Sequence, residues 1–291
     1  MCNPMRHSVK SNAISLVLLM LSALPCAGQP RKSVFVITDG EGVAGICRQE
    51  QTDPTDPELR QLLTGEVNAA VDGFLAGGAD EVVVWDGHDG SRTLSATTIH
   101  PRAKLVIGYI GPLMTLDRGY AAVAFVGQHS KAGTGAAIMA HSYDSLGIQN
   151  MLLNGKAVGE IEVRAAMAGH FGIPVIFLSG DRAAVTEMHD IVPDAVTAEV
   201  KEGLARYACI TLSAAAARDL IRERAAEAAR KIGSIRPYRI DGPVTLQIEY
   251  TTRTSLPVGA GALPGREVVD DRTIRIQGKD LVEAWTRYEE R

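Results

Sequence analysis

Acidic and imidazole side chains follow directly on three apolar stretches of the chain. Residues 34–38 run into Asp39 and Glu41, residues 82–85 into Asp86 and His88, and residues 121–126 into Gly127, Gln128 and His129. Carboxylates and imidazoles without cysteine suit a hard or borderline divalent cation, above all zinc or manganese. Carboxylates held close together would otherwise repel one another and take up protons, so a bound cation gives a reason to assemble them. The pattern therefore predicts a metal site if the three segments meet.

Taken singly, each of these residues has an ordinary structural explanation. Asp39 can cap a turn, and Asp86 can accept hydrogen bonds from its own loop. A lone histidine such as His88 is more often a packed residue with its hydrogen bonds satisfied than a ligand. It is the threefold repetition that favours a shared site.

The apolar stretches predict the strands of a buried sheet. Short continuous apolar runs are typical of strands covered on both faces, and such runs occupy residues 34–38, 81–85, 104–107, 120–126 and 173–181. In an open parallel sheet the loops at the carboxyl ends of the strands share one edge, and ligands bind there. The acidic and imidazole residues that follow these runs are therefore expected at one edge of the sheet.

Helical patterns alternate with these strands. Asp56 supplies an N-cap and Pro57 a first helical residue, and apolar residues then recur at helical spacing as far as Gly77. Residues 158–170 and 213–231 predict two further helices. The alternation predicts a three-layer α/β fold, in which a mostly parallel sheet carries helices on both faces.

The pattern changes near residue 233. Residues 244–250 and 273–277 alternate apolar and polar side chains, as half-buried strands do, and a final helix is predicted from about Lys279. We therefore expect a metal-binding catalytic α/β domain at residues 29–232 and a small C-terminal α+β unit at residues 233–291.

The first 28 residues have the features of a secretory signal sequence. Basic residues precede an apolar run at residues 13–24, and small residues follow at 26–28. The run is too short to span a bilayer, and no later segment reaches that length. The mature protein is expected to begin near Gln29, to be periplasmic or secreted, and to be soluble. A lipid anchor on Cys26 is an alternative, although Pro25 fits a lipoprotein cleavage site poorly.

Composition and cysteine content narrow the remaining possibilities. The chain of 291 residues carries a net charge of −4 and has no stripe of Lys and Arg interleaved with aromatic residues. A nucleic-acid partner is therefore not expected. Of four cysteines, Cys47 and Cys209 lie outside the predicted signal. Because their distance in sequence says nothing about proximity, and a chain this long has no need of a disulfide, we expect them to be unpaired.

Five short motifs occur together in an order that is typical of one peptidase family. They are Asp39-Gly40-Glu41-Gly42, Asp86-Gly87-His88, Gly127-Gln128-His129-Ser130-Lys131-Ala132, Met139-Ala140-His141-Ser142 and Val158-Gly159-Glu160. Each motif alone is a weak signal, but the five in this order resemble the M55 family of metallopeptidases, which are D-aminopeptidases. The resemblance covers nearly the whole mature chain.

The resemblance implies a set of ligands and a catalytic histidine. The ligands of two zinc ions per subunit, with manganese as an alternative metal, would be Asp39, Glu41, His88, His129 and Glu160. Five protein ligands are too many for one tetrahedral catalytic zinc with an open position, but they suit two ions that share a carboxylate. Asp39 is expected to be that bridge, and His141 would be the essential histidine that is not a ligand, acting as nucleophile or base. Glu162 and Arg164 are expected at the surface or behind the ligands.

Such a site would hydrolyse a peptide bond. Two divalent cations can polarise a carbonyl, provide hydroxide near neutral pH and stabilise an oxyanion, while His141 could pass a proton from water to the leaving amine. The resemblance further implies short peptide substrates with an N-terminal D-amino acid and a ring-like homo-oligomer such as a decamer. Two alternatives stay open: another dinuclear metallohydrolase, such as an amidase or a phosphoesterase, and an exported protein that binds metal or peptide without catalysis.

Overall fold

The apolar runs of the sequence form parallel strands in the computed structural model, which describes residues 1–2, 31–256 and 259–290. In chain order the strands are β1 (Ser33–Thr38), β2 (Glu81–Trp85), β3 (Ala103–Val106), β4 (Ala122–Gln128), β5 (Ile148–Leu153), β6 (Lys156–Ala157), β7 (Val175–Asp181), β8 (Val196–Ala205), β9 (Ala208–Thr211), β10 (Val244–Tyr250), β11 (Arg266–Val268) and β12 (Thr273–Gly278). The helices are α1 (Pro57–Ala76), α2 (Glu160–His170), α3 (Arg182–Ile191), α4 (Ala214–Arg230) and α5 (Leu281–Glu289).

Seven strands form the main sheet, in the order β3-β2-β1-β4-β7-β8-β9. All neighbouring strands are parallel except β8 and β9, which form an antiparallel hairpin at one edge. The central strands β1 and β4 are buried along almost their whole length, which explains their continuous apolar sequence.

Helices cover both faces of this sheet, as the sequence predicted. The Asp56 side chain caps α1 by accepting hydrogen bonds from the backbone of Glu58 and Leu59, and the helix ends at Gly77. α1 packs against α4, whereas α2 and α3 contact β4, β7 and β8. Along the sheet, the chain moves one way from β1 to β2 and the opposite way from β4 to β8. Because β-α-β crossovers are right-handed, α1, with α4 packed against it, lies on one face of the sheet, and α2 and α3 lie on the other. The predicted α/β fold is confirmed.

A second, antiparallel sheet has the strand order β11-β12-β10-β5-β6. β10 alternates buried and half-buried side chains, as its sequence predicted, and α5 packs against β10 and β12. The C-terminal residues therefore form the smaller unit that was expected. Its sheet also contains β5 and β6, which no pattern in the sequence predicted and which precede the boundary predicted near residue 233.

The prediction that Cys47 and Cys209 are unpaired is wrong. A disulfide joins them, with Cα atoms 6.3 Å apart. It links the loop after β1 to the hairpin of β8 and β9. The sequence did not reveal this pairing, because the separation of 162 positions carries no information about distance in the fold.

The predicted signal sequence, residues 1–28, lies almost entirely outside the described residues. Among the residues that are described, no helix combines the length and the apolar character that crossing a membrane requires.

Candidate metal centre

The carboxyl ends of β1, β2 and β4 and the start of α2 meet at one edge of the main sheet. β1 leads into Asp39 and Glu41, β2 leads into the loop of His88, and β4 leads into His129. Glu160 is the first residue of α2, and the loop between β4 and β5 carries one further histidine. Six buried side chains therefore come together here, and they are Asp39, Glu41, His88, His129, His141 and Glu160.

Asp39 lies between two imidazoles and turns one carboxylate oxygen toward each. Its Oδ1 is 3.1 Å from Nδ1 of His88, and its Oδ2 is 3.6 Å from Nε2 of His129. Glu41 approaches the first imidazole, with Oε2 3.5 Å from Nδ1 of His88. Glu160 approaches the second, with Oε1 3.4 Å from Nε2 of His129. The position of Asp39 is the one that a bridging carboxylate needs.

Within the part of the chain that the structure describes, two groups of possible ligand atoms are tight enough for a metal ion. In each group all ligand atoms lie within 4.8 Å of one another, and the groups are Asp39, Glu41 and His129, and His129, His141 and Glu160. Nε2 of His141 is 3.8 Å from Oε1 of Glu160, and its ring stacks on that of His129 with centroids 4.0 Å apart.

Each of the three imidazoles is held by a backbone carbonyl. The pairs are His88 Nε2 with Thr52 O at 2.7 Å, His129 Nδ1 with Ser130 O at 2.9 Å, and His141 Nδ1 with Met139 O at 2.8 Å. Because a carbonyl oxygen can only accept a hydrogen bond, the ring nitrogen that faces it carries the proton. The other ring nitrogen of each neutral histidine then presents a lone pair to the cluster, as a metal ligand or a base requires.

Three atoms of the cluster indicate that a cation fits here. Among the described residues, Oδ2 of Asp39, Oε2 of Glu41 and Nε2 of His129 are buried and have no hydrogen-bond partner. Leaving buried polar atoms unpaired costs about 1–3 kcal/mol each, and more for charged groups. All three belong to the predicted ligand set, and their oxygen and nitrogen chemistry suits zinc.

The charges of the cluster shift the pKa values of its members strongly. Burial raises the pKa of Glu41, but the imidazoles of His88, His129 and His141 outweigh burial and lower it to about 2. Burial lowers the pKa of His88, yet Glu41 and Asp39 raise it to about 10. These shifts show that the carboxylates and the imidazoles each favour the charged form of the other, and a divalent cation would supply the same positive charge to the carboxylates while the imidazoles stay neutral.

Arg164 lies directly behind the clustered carboxylates rather than at the surface. Its Nη2 lies 2.8 Å from Oε2 of Glu160, one helical turn away, and its Nη1 lies 4.0 Å from Oδ2 of Asp39. Its guanidinium also lies over the ring of Tyr143 at 5.6 Å, and the backbone N–H of Tyr143 donates to Glu160. The spacing of four residues between Glu160 and Arg164 was the available sequence signal for this pair. Tyr143 had none.

Asp86 and Glu162 have structural partners outside the cluster. Oδ2 of Asp86 accepts hydrogen bonds from the backbone N–H groups of Thr93 and Leu94, at 2.8 and 2.9 Å. Asp86 therefore holds its own loop, as its structural explanation suggested. Glu162 is buried and accepts a hydrogen bond from the Tyr238 hydroxyl at 2.6 Å.

A glycine allows two of the loops that carry the clustered residues to approach closely. A Cβ atom on Gly42 would lie 2.0 Å from the carbonyl oxygen of Gln128, which no side chain could tolerate. The loop after β1 can therefore pack directly against the end of β4. A cleft of about 330 Å³ opens onto the cluster, and its walls include Asp39, His88, His141 and Glu160. A larger cavity of about 680 Å³ beside α1 contains none of the six clustered residues.

Known proteins resemble this chain over most of its length. The sequence matches the peptidase M55 family, described as D-aminopeptidase, over residues 33–289. A D-aminopeptidase of Bacillus subtilis (strain 168) is 29% identical in an alignment of 259 residues that covers 87% of this chain and 93% of that protein. A solved structure described as the Zn-dependent D-aminopeptidase DppA from Bacillus subtilis, a self-compartmentalizing protease, has a TM-score of 0.81 and 28% identity, and covers 88% of this chain and 95% of that chain. This chain therefore belongs to the M55 family of D-aminopeptidases.

Proposed function

We propose that this protein is a zinc-dependent aminopeptidase that removes an N-terminal D-amino acid from short peptides. The observation that carries the proposal is the convergence of three carboxylates and three imidazoles, several with unpaired buried atoms, at one edge of the sheet, where five of the six line one cleft. Membership of the M55 family supports the reaction. The description of the similar Bacillus subtilis structure as a Zn-dependent D-aminopeptidase supports the metal and the stereochemistry.

Two zinc ions per subunit account for the whole ligand set. Glu41 and His88 would hold one ion, His129 and Glu160 would hold the other, and Asp39 between them would contact both. Zinc bound in this way supplies a Lewis acid for the scissile carbonyl and lowers the pKa of water. Arg164 keeps the Glu160 carboxylate ionised and directed into the cluster, since it approaches that carboxylate within 2.8 Å.

His141 is assigned to proton transfer. Its Nδ1–H donates to the Met139 carbonyl, so that Nε2 is free to accept a proton at the wall of the cleft. Stacking on His129 holds the ring in this plane. His141 takes up a proton from the attacking water and returns it to the leaving amine. General acid–base catalysis of this kind typically contributes about 100- to 10,000-fold to a rate.

Export and oligomerisation belong to the same proposal. The disulfide between Cys47 and Cys209 supports a periplasmic or secreted location, because disulfides persist in oxidising compartments. The similar structure is described as self-compartmentalizing, which supports a ring-like homo-oligomer that encloses its active sites. Cell fractionation and sedimentation of the native protein test these two points, and a cytosolic monomer would contradict both.

A substrate panel tests the reaction directly. D-alanyl peptides, L-alanyl peptides and p-nitrophenyl phosphate are compared with the same enzyme sample, with and without a chelator. We expect turnover of the D-alanyl peptides, its loss in chelator and its return with added zinc. Phosphatase activity alone would favour a phosphoesterase, and zinc binding without any chelator-sensitive turnover would favour a binding protein.

A further inference from the structure

The loop that carries Glu41 is folded around a buried lysine. Lys201, on β8, is only 2% exposed. Its Nζ donates hydrogen bonds to the backbone carbonyl oxygens of Glu41, Val43 and Ile46, the second at 2.9 Å. An ammonium group has three donors, so these three carbonyls satisfy it completely.

Three N–H groups of the same loop bind to other parts of the molecule. Gly42 donates to the carbonyl of Gly127 at 2.8 Å, Ala44 donates to Oε1 of Glu66 at 2.9 Å, and Gly45 donates to the hydroxyl of Thr211 at 2.9 Å. Cys47, at the end of the loop, is bonded to Cys209. The loop therefore turns carbonyls inward to one ammonium and is attached to the hairpin of β8 and β9 at three places.

A buried ammonium at this position is expensive. Removing an ionised lysine from water costs several kcal/mol unless partners compensate it. The direct partners of Lys201 are carbonyl oxygens, while the nearby carboxylates of Glu66 and Asp181 bind backbone N–H groups of Ala44 and Ala184. Its neighbours on β8, Ala198 and Val200, are buried and apolar, so that an apolar side chain would suit the sheet. A lysine at this position is instead explained by the three loop carbonyls that accept its hydrogen bonds.

We propose that Lys201 is a positioning residue of the metal site. Its ammonium group binds the carbonyl oxygens at the centre of loop 41–46, as a structural cation would, and thereby fixes the backbone of Glu41. This inference rests on the proposed zinc site. Because Lys201 holds the carbonyl of Glu41 itself, it restricts the peptide from which that side chain reaches toward Asp39 and His88. Groups that orient metal ligands typically contribute about 10- to 100-fold to metal affinity.

Zinc affinity of metal-stripped protein, measured by competition with a chromophoric chelator, tests the proposal. Lys201→Met keeps the length of the side chain but removes all three donors, whereas Lys201→Gln retains two. We expect zinc affinity to fall about 10- to 100-fold in Lys201→Met and less in Lys201→Gln. Lys104→Met is the matched control, because Lys104 forms a surface pair with Glu81 at 2.7 Å, and it should bind zinc as wild type does.

The outcomes separate this inference from the proposed function. Wild-type zinc affinity in Lys201→Met would overturn the inference, whether or not the melting temperature of the variant is lowered, because Lys201 would then have at most a structural role. Failure of the wild type to bind zinc would instead defeat the proposed function.

Hydrogen exchange of the wild-type protein tests whether Lys201 orders loop 41–46 even if both variants fail to fold. We expect the amides of residues 42–46 to be protected in the metal-free protein. Protection that arises only when zinc is added would show that the ion, and not the ammonium, orders the loop.

Discussion

Removal of the disulfide between Cys47 and Cys209 is expected to destabilise the protein by about 2–5 kcal/mol. The bond joins residues that are 162 positions apart. The chain-entropy relation for a closed loop of this length gives about 5 kcal/mol at 25 °C, because the cross-link removes conformations from the unfolded chain. That value is a large part of the about 5–15 kcal/mol by which folded proteins are usually stable. The double variant Cys47→Ala/Cys209→Ala should therefore unfold at clearly lower urea concentration.

Urea unfolding of the wild type and the double variant measures this difference. Both samples contain a chelator, since zinc bound only by the folded state would add its own binding energy. Wild-type protein with reductant is the matched control and should behave as the double variant does. A difference below about 1 kcal/mol with equal m-values would refute the entropic argument. Two free thiols in denatured, unreduced protein that begins at Gln29 would refute the bond itself.

Three further perturbations address the site and its surroundings. His141→Ala should lower kcat by about 100- to 10,000-fold, while its zinc content stays at the wild-type value. His129→Ala, in contrast, should lose zinc. Metal analysis that showed zinc loss in His141→Ala would mean that His141 is a ligand. Arg164→Met should destabilise the metal-free protein by up to about 3–5 kcal/mol, because it removes the cationic partner of the buried Glu160 carboxylate. Urea unfolding that showed no change would contradict the pairing. Burial raises the pKa of Glu66 from 4.5 to about 7. The folded state therefore binds this proton more tightly than the unfolded chain does, and Glu66 favours folding at low pH. As the pH rises toward 7, its contribution to the free energy of unfolding falls by about 1.4 kcal/mol per pH unit. Glu66→Gln should remove that slope, and identical slopes for both proteins between pH 5 and pH 7 would show that Glu66 ionises normally.

Much of the architecture follows from patterns of adjacent residues. The continuous apolar runs that became β1, β2, β4 and β7 identify buried parallel strands, because such strands have both faces covered. Asp56 and Pro57 identify the start of α1, because an N-cap and a first-turn proline act within one helical turn. Once the parallel sheet is predicted, the edge at which Asp39, His88 and His129 gather follows from the common direction of its strands.

Other features depend on contacts between segments that are remote in sequence. β5 joins the second sheet although its sequence, with Gln149 and Asn150 side by side, lacks a clear alternation, because pairing with β10 stabilises it. The position of Asp39 between two imidazoles also arises only in the folded chain.

The sequence by itself determined the buried strands β1, β2, β4 and β7, the helices α1, α2 and α4, and the chemical groups that follow the strands, because these properties depend on neighbouring residues and on the direction of the strands. Only the tertiary structure decided that Cys47 meets Cys209, that Arg164 approaches Asp39, and that Lys201 enters the loop of Glu41. Each of these contacts needs distances of a few ångströms between groups whose separation is set by the packing of the whole domain. No local pattern of residues encodes such distances.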